Sequence, residues 1–342
     1  MINPSKCLCG QCLNYVDYLG ILIFLRQKEF PLQPSNVFLM SNFKGWILDA
    51  LARESAEAIG APINIQYIPA SRRDIRSTKT FKSFYFPKAI GNNLFFHHRT
   101  FIEVDKRVAL QESKNRIWLT HFDEMNSIDE LLNRDSRISR IFVQNISLRD
   151  VLVDAGFSED KLRVTPGAVD RNQFFPSGER YSNDSYFLFS GDCKPRKNPA
   201  YVEWIVRTFP EHTFVIHGRG WNVFNHGVLR NLANVELIDF QFSKQGYLLR
   251  GASALISVAH NEGGPISILE ALASGTPVIS TDTGFAKDVI TNENGFLISE
   301  NLDPDGWRML FGKIIKVKKD VHQRDLLEGK YTWSKLGADF YL

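Results

Sequence analysis

Long hydrophobic runs are missing from this 342-residue chain. The best candidate, Leu19 to Leu25, is seven residues, whereas a bilayer-crossing helix needs about 20. The start Met-Ile-Asn-Pro lacks the charged and apolar regions of a secretory signal, so a cytoplasmic location is expected. Cysteine is scarce too. Of four, Cys7, Cys9 and Cys12 form C-x-C-x2-C and Cys193 is distant. A structural zinc site wants four ligands, usually in two paired groups. The nearest histidines, His97 and His98, are remote, so a reduced, non-ligating segment is expected there. A strong charge of one sign is absent: the net charge is +3, and with no nucleic-acid motif that argues against such a partner. No G-x-G-x-x-G follows a strand, which argues against a dinucleotide-dependent oxidoreductase. No repeat or low-complexity segment is visible.

What remains is an ordinary globular composition, 44% apolar and 23% charged. The length suits two α/β domains of roughly 150–170 residues each. Charge is uneven along the chain. From Arg72 to Arg116 there are eleven Lys/Arg against four acids. That surplus suits a face for anionic acceptors or membrane headgroups, and equally a solvated surface.

Short apolar strands alternate with helical segments through both halves, which implies mostly parallel sheets. In the first half, strands are expected at Val37–Met40, Ile63–Ile68, Leu94–Phe96, Ile117–Thr120 and Ile141–Gln144. A helix opening at Ser147, with that serine as its cap, follows. In the second half, strands are expected at Tyr186–Ser190, Thr213–His217, Val235–Ile238, Ala254–Val258 and Val278–Ser280. Pro and Gly interrupt the pattern around Val164 to Pro176, marking a junction.

The richest stretch is NEGGPISILEALASGTPVISTDTGFAKD, Asn261 to Asp288. It places Glu262 and Glu270 eight positions apart around a Gly-Gly-Pro turn. Gly263 and Gly264 allow close backbone approach. Pro265 suits the first turn of the helix that follows. The free N–H groups of that turn favour an anion. Because Glu262 precedes the helix and Glu270 lies within it, the two carboxylates are not expected to grip the same atoms.

This string resembles the E-x7-E donor motif of the large family four of retaining glycosyltransferases, which have the GT-B fold. The resemblance covers roughly Val37 to Leu342. It implies α/β architecture with two Rossmann-like domains facing across a cleft. Residues 36–170 would form the acceptor domain, joined by a C-terminal helix, about 332–342, that crosses back to it. Residues 177–330 would form the nucleotide-sugar domain. Residues 1–35 have no counterpart.

The resemblance also implies roles. Lys197 matches the family's phosphate-binding lysine and Arg196 is its neighbour, both in a strand-to-helix turn that also carries Lys194. Glu270 would accept hydrogen bonds from the ribose. Glu262 would face the donor sugar, with the amides of Gly263, Gly264 and Ile266 around it. Gly218 belongs to a G-x-G turn like the one lining the base pocket. His121, after a first-domain strand, would lie near the reacting carbon. Gly45 and His98 would border the acceptor side. No cofactor or metal is implied, only a nucleotide-diphosphate sugar as co-substrate and a glycan or lipid-linked acceptor. Peripheral contact with the inner membrane face would use the basic 72–116 region. Asp192 stands where the family usually has Arg. That departure motivates an alternative, an inactive relative that binds a glycan or a partner.

Overall fold

The computed structural model describes residues 36–40, 47–61, 63–67, 94–108, 115–119, 126–299, 302–317, 327 and 329–341. Within these, the strands assemble into two six-stranded sheets, and every paired neighbour is parallel.

The first sheet contains β1 (Asn36–Met40), β2 (Ile63–Tyr67), β3 (Leu94–His97), β4 (Asn115–Leu119), β5 (Ile138–Val143) and β6 (Leu162–Val164). Their spatial order is β2-β1-β3-β4-β5-β6. The helices of this half are α1 (Ile47–Glu57), α2 (His98–Val108), α3 (Asn126–Leu132) and α4 (Ile146–Asp154). The cap of α4 is Asn145 rather than Ser147. The Asn145 side chain accepts from the Leu148 amide at 2.8 Å. This satisfies an amide that the helix itself leaves unpaired.

The second sheet runs β12-β11-β10-β7-β8-β9. Its members are β7 (Phe187–Ser190), β8 (Phe214–His217), β9 (Val235–Ile238), β10 (Ala254–Ser257), β11 (Val278–Thr281) and β12 (Gly295–Ile298). Its helices are α5 (Pro199–Thr208), α6 (Phe242–Gly251), α7 (Ile266–Ala273), α8 (Ala286–Val289) and α9 (Pro304–Ile314). The chain moves outward from β7 through β8 to β9. It then returns to the other side of β7 with β10 and continues to β12. The strand order therefore reverses between β7 and β10. Ligands of open parallel sheets bind beyond the carboxyl ends of the strands at such a reversal.

Helix α7 is short and nearly all apolar, and residues 268–273 are buried. It ends on Gly275, which adopts φ +70°. The Thr276 amide reaches back to the Ala271 carbonyl at 2.8 Å and the Gly275 amide to the Leu272 carbonyl at 3.0 Å. This paired closure stops the helix and delivers the chain into β11.

Cores lie on both faces of each sheet. The last helix, α10 (Trp333–Tyr341), returns to the first half. Phe340 packs edge-on against Trp118 and Phe142, with ring centroids 5.3 and 5.0 Å away. The Tyr341 hydroxyl donates to the Ala52 carbonyl at 2.9 Å. Gly337 is needed because a Cβ there would fall 2.1 Å from the Ser55 carbonyl oxygen on α1.

Candidate functional site

The loops after β7 and β10 meet because those strands are neighbours. After β7 comes a single 3-10 turn, Pro195–Lys197, closed by Asn198 in the left-handed region at φ 55°. The carbonyl of Arg196 accepts from the His260 amide at 2.8 Å, which docks this turn on the loop after β10. As a result Arg196 and Lys197 converge on Glu262. The guanidinium lies 2.5 Å from Oε2 and the ammonium 2.5 Å from Oε1. The Glu262 side chain is only 7% exposed. Burial alone would push its carboxyl up, but Lys197 and Arg196 outweigh burial and hold it below the usual carboxylate range.

Gly191 makes room for Lys197. A Cβ at Gly191, whose φ is +139°, would lie 3.2 Å from Lys197 Cε and 3.4 Å from Nζ. Gly191, Lys197, Ser190, Trp221 and Ala259 line a small pocket at the same strand ends. Gly218 is a glycine for a related reason: its Cβ would stand 2.0 Å from the Gly191 carbonyl oxygen. The space at Gly218 is thus filled by the neighbouring loop's backbone.

Glu270 lies one helical stretch deeper, 8% exposed. Burial pushes its carboxyl up to about 7, against a hydrogen bond from Gln245 and the field of Lys197. The Gln245 Nε2–H donates to Glu270 Oε2 at 3.0 Å. The two carboxylates therefore differ in state as well as in place. One is held ionised by two cations, and the other is pushed up to about 7 by burial.

The Gly-Gly-Pro turn is packed from the first half of the chain. Asn145 Nδ2 donates to the Gly263 carbonyl at 2.6 Å. A Cβ at Gly264 would meet Phe285 at 2.6 Å and the Gln144 amide at 2.9 Å. Ile266 reaches Gly167, where a Cβ would lie 2.1 Å from its Cδ1. Pro265 stands just before α7 rather than in its first turn.

Asp192 is accounted for by a partner. Its carboxylate accepts from the Arg219 amide and side chain at 3.1 Å, with Arg219 Nη2 at 2.8 Å. Arg219 also lies over the Phe240 ring, 5.6 Å from its centroid. A charge-compensated ion pair thus stands at the edge of the site, on the adjacent loop.

The first-half candidates fare differently. Gly45 and His121 lie outside the described residues, as do Cys7, Cys9, Cys12 and most of the 72–116 stretch. His98 opens α2 rather than ending a strand and is 2% exposed, with its ring 4.3 Å from that of His97.

Sequence reasoning passed over α6 and with it Gln245. Two glycines weaken the helical signal there. Gly246 is required because a Cβ would lie 2.8 Å from the Gln173 carbonyl oxygen, and Gly251 because one would lie 2.4 Å from the Tyr186 hydroxyl. The available clue was His217, a polar residue closing an apolar strand.

Two parallel Rossmann-like sheets, a crossing C-terminal helix and a charged cluster at the second switch point define a GT-B fold. Residues 170–326 match the family model described as glycosyl transferases group 1. This match covers the second sheet and its helices. The chain is 26% identical over 179 residues to an Escherichia coli enzyme named UDP-Gal:alpha-D-GlcNAc-diphosphoundecaprenol alpha-1,3-galactosyltransferase. That alignment covers 46% of this chain and 45% of the enzyme, so the match spans about half the relative's length. Two solved structures show the same fold over nearly their whole lengths. Sucrose-phosphate synthase from Thermosynechococcus elongatus superposes with TM-score 0.66 at 13% identity, covering 89% of this chain and 97% of its own. HepE from Anabaena, in complex with UDP-glucose, gives TM-score 0.68 at 11% identity with the same two coverages.

Among the described residues no helix is long and apolar enough to cross a membrane.

Proposed function

We propose that the protein is a retaining glycosyltransferase of the family-four type, moving a hexose from a nucleotide-diphosphate sugar to an acceptor hydroxyl. The observation that carries this reading is the convergence of Arg196, Lys197 and Glu262 at the β7/β10 switch point, with Glu270 behind them. The leaving diphosphate gains charge as the glycosidic bond breaks. Arg196, Lys197 and the amides opening α7 are the groups that would stabilise it. Glu262 would then turn to the sugar hydroxyls and Glu270 to the ribose. Retention would follow from attack on the face of the leaving phosphate, with that phosphate taking the acceptor's proton. Because two cations already supply the positive charge, the reaction is proposed to need no metal and no cofactor.

The name of the Escherichia coli relative points to UDP as the nucleotide and to a lipid-linked glycan as acceptor. A cytoplasmic protein meeting the inner membrane face through its basic 72–116 region fits that substrate.

Thermal-shift measurements with UDP, GDP and ADP test the donor site. A nucleotide at 100 times its dissociation constant stabilises by about 2.7 kcal/mol. Turnover of a UDP-hexose that is abolished in Glu262→Ala supports the enzyme. Stabilisation by UDP without any turnover would instead favour the inactive, glycan- or partner-binding reading that Asp192 motivates.

A further inference from the structure

Behind Glu270 lies a buried polar chain that the donor reading does not use. His217 closes β8 and is fully buried, and Gln245 on α6 is 2% exposed. The Gln241 amide lies 3.0 Å from His217 Nε2. His217 Nδ1 lies 2.6 Å from Gln245 Oε1. Gln245 Nε2 lies 3.0 Å from Glu270 Oε2 and 2.7 Å from the Ser190 hydroxyl.

The direction of every hydrogen bond in this chain follows from one end. A backbone amide only donates, so His217 Nε2 must accept, and the ring's proton is on Nδ1. That proton goes to Gln245, which must therefore present its oxygen to His217. Its NH2 group is then turned toward Glu270 and Ser190. Burial favours the neutral imidazole this arrangement requires. One Glu270 oxygen is engaged by Gln245, which restrains the rotation of the carboxylate.

We propose that Gln245, oriented by His217, is a positioning residue that aims the Glu270 carboxylate at the two ribose hydroxyls of the donor nucleotide. This rests on the proposed donor reading, in which Glu270 accepts from the ribose. A cis-diol is recognised by a carboxylate only when both of its acceptors are held at a set angle. A freely turning carboxylate loses that discrimination.

The test compares binding of UDP and 2′,3′-dideoxy-UDP by calorimetry. Wild type is expected to prefer UDP. Gln245→Met keeps the volume and removes the amide, and should weaken UDP by about 10- to 100-fold. Its affinity for the dideoxy nucleotide should stay at the wild-type level, a split that general loss of structure does not produce. A second pair of variants acts one step back. His217→Asn keeps a side-chain N–H for Gln245 and should retain most of the preference for UDP, whereas His217→Phe should lose it. This pair carries the test if Gln245→Met does not fold. Wild-type preference for UDP in both Gln245→Met and His217→Phe would overturn the proposal while leaving the ribose reading intact. Equal affinity of wild type for the two nucleotides, or no binding of UDP, would overturn the ribose reading and this proposal together.

Discussion

Lys197 and Glu262, 65 positions apart in the chain, are joined by a contact of 2.5 Å from Nζ to Oε1, and Arg196 closes on the other oxygen at the same distance. The carboxylate expected to face the sugar thus occupies the cations expected to hold the diphosphate. A bound diphosphate must compete with Glu262 for them, and its arrival would release Glu262 toward the sugar.

Glu262→Gln tests that competition. Removing the charge frees Lys197 and Arg196 for phosphate, so bare UDP should bind as tightly as to wild type or tighter, while sugar transfer falls. Its carboxyl is held below the ordinary range, so the stabilising pair is present above about pH 4.5 and fades as pH falls through the lowered value. The variant should therefore be less stable than wild type by about 1–3 kcal/mol at pH 7, with the gap shrinking in acid. Calorimetry and denaturant melts at several pH values measure both. Weakened UDP binding in this variant would sink the competition.

Lys197→Met should lower transfer strongly, by about 10- to 1,000-fold, as loss of a group that stabilises developing charge. It should also cost stability, which a surface lysine would not. Its partner is only 7% exposed and would keep a single cation, so about 1–2 kcal/mol is expected. Unfolding curves together with steady-state rates check the pair. A fully active variant removes Lys197 from the site.

Glu270→Gln should show a pH-dependent gain in stability. The carboxyl titrates near 7 in the fold and in the ordinary range when unfolded. The folded protein therefore binds the extra proton between about pH 4.5 and 7, and stability falls as pH rises through that window. The amide cannot ionise and escapes this loss. The variant's stability relative to wild type should be greater at pH 8 than at pH 5, by about 1–3 kcal/mol. Urea melts at the two pH values decide it. An equal difference at both would show that Glu270 is not the buried acid described.

Chelation should leave transfer unchanged. In the proposed reading, Arg196, Lys197 and the start of α7 would supply the positive charge a diphosphate needs. The assay is UDP-hexose turnover before and after EDTA, then with added magnesium or manganese. Loss on chelation with recovery on adding metal would refute metal-independent transfer.

Much of the architecture is legible locally. Apolar runs of four or five residues read as buried parallel strands, and Pro199 to Thr208 reads as a helix because its signals lie within ten residues. Glu262, Gly263, Gly264 and Glu270 were recognisable because one turn and one helix hold them all. α6 was not, since its glycines serve the linker and Tyr186, neighbours that only the fold supplies.

The sequence by itself determined the alternating strands and helices, the spacing of the two carboxylates and the placing of Lys197 and Arg196 between a strand and a helix. These depend on residues close along the chain. The tertiary structure decided what those groups do to one another. Lys197 meets Glu262 because the crossover sets β10 beside β7, and strand order is not written in any local window. Glu270 is pushed up to about 7 by burial, and desolvation is a property of the surroundings rather than of the residue. Asn145 caps a helix of the first half and grips Gly263 of the second, a double role that only packing of the two halves can assign.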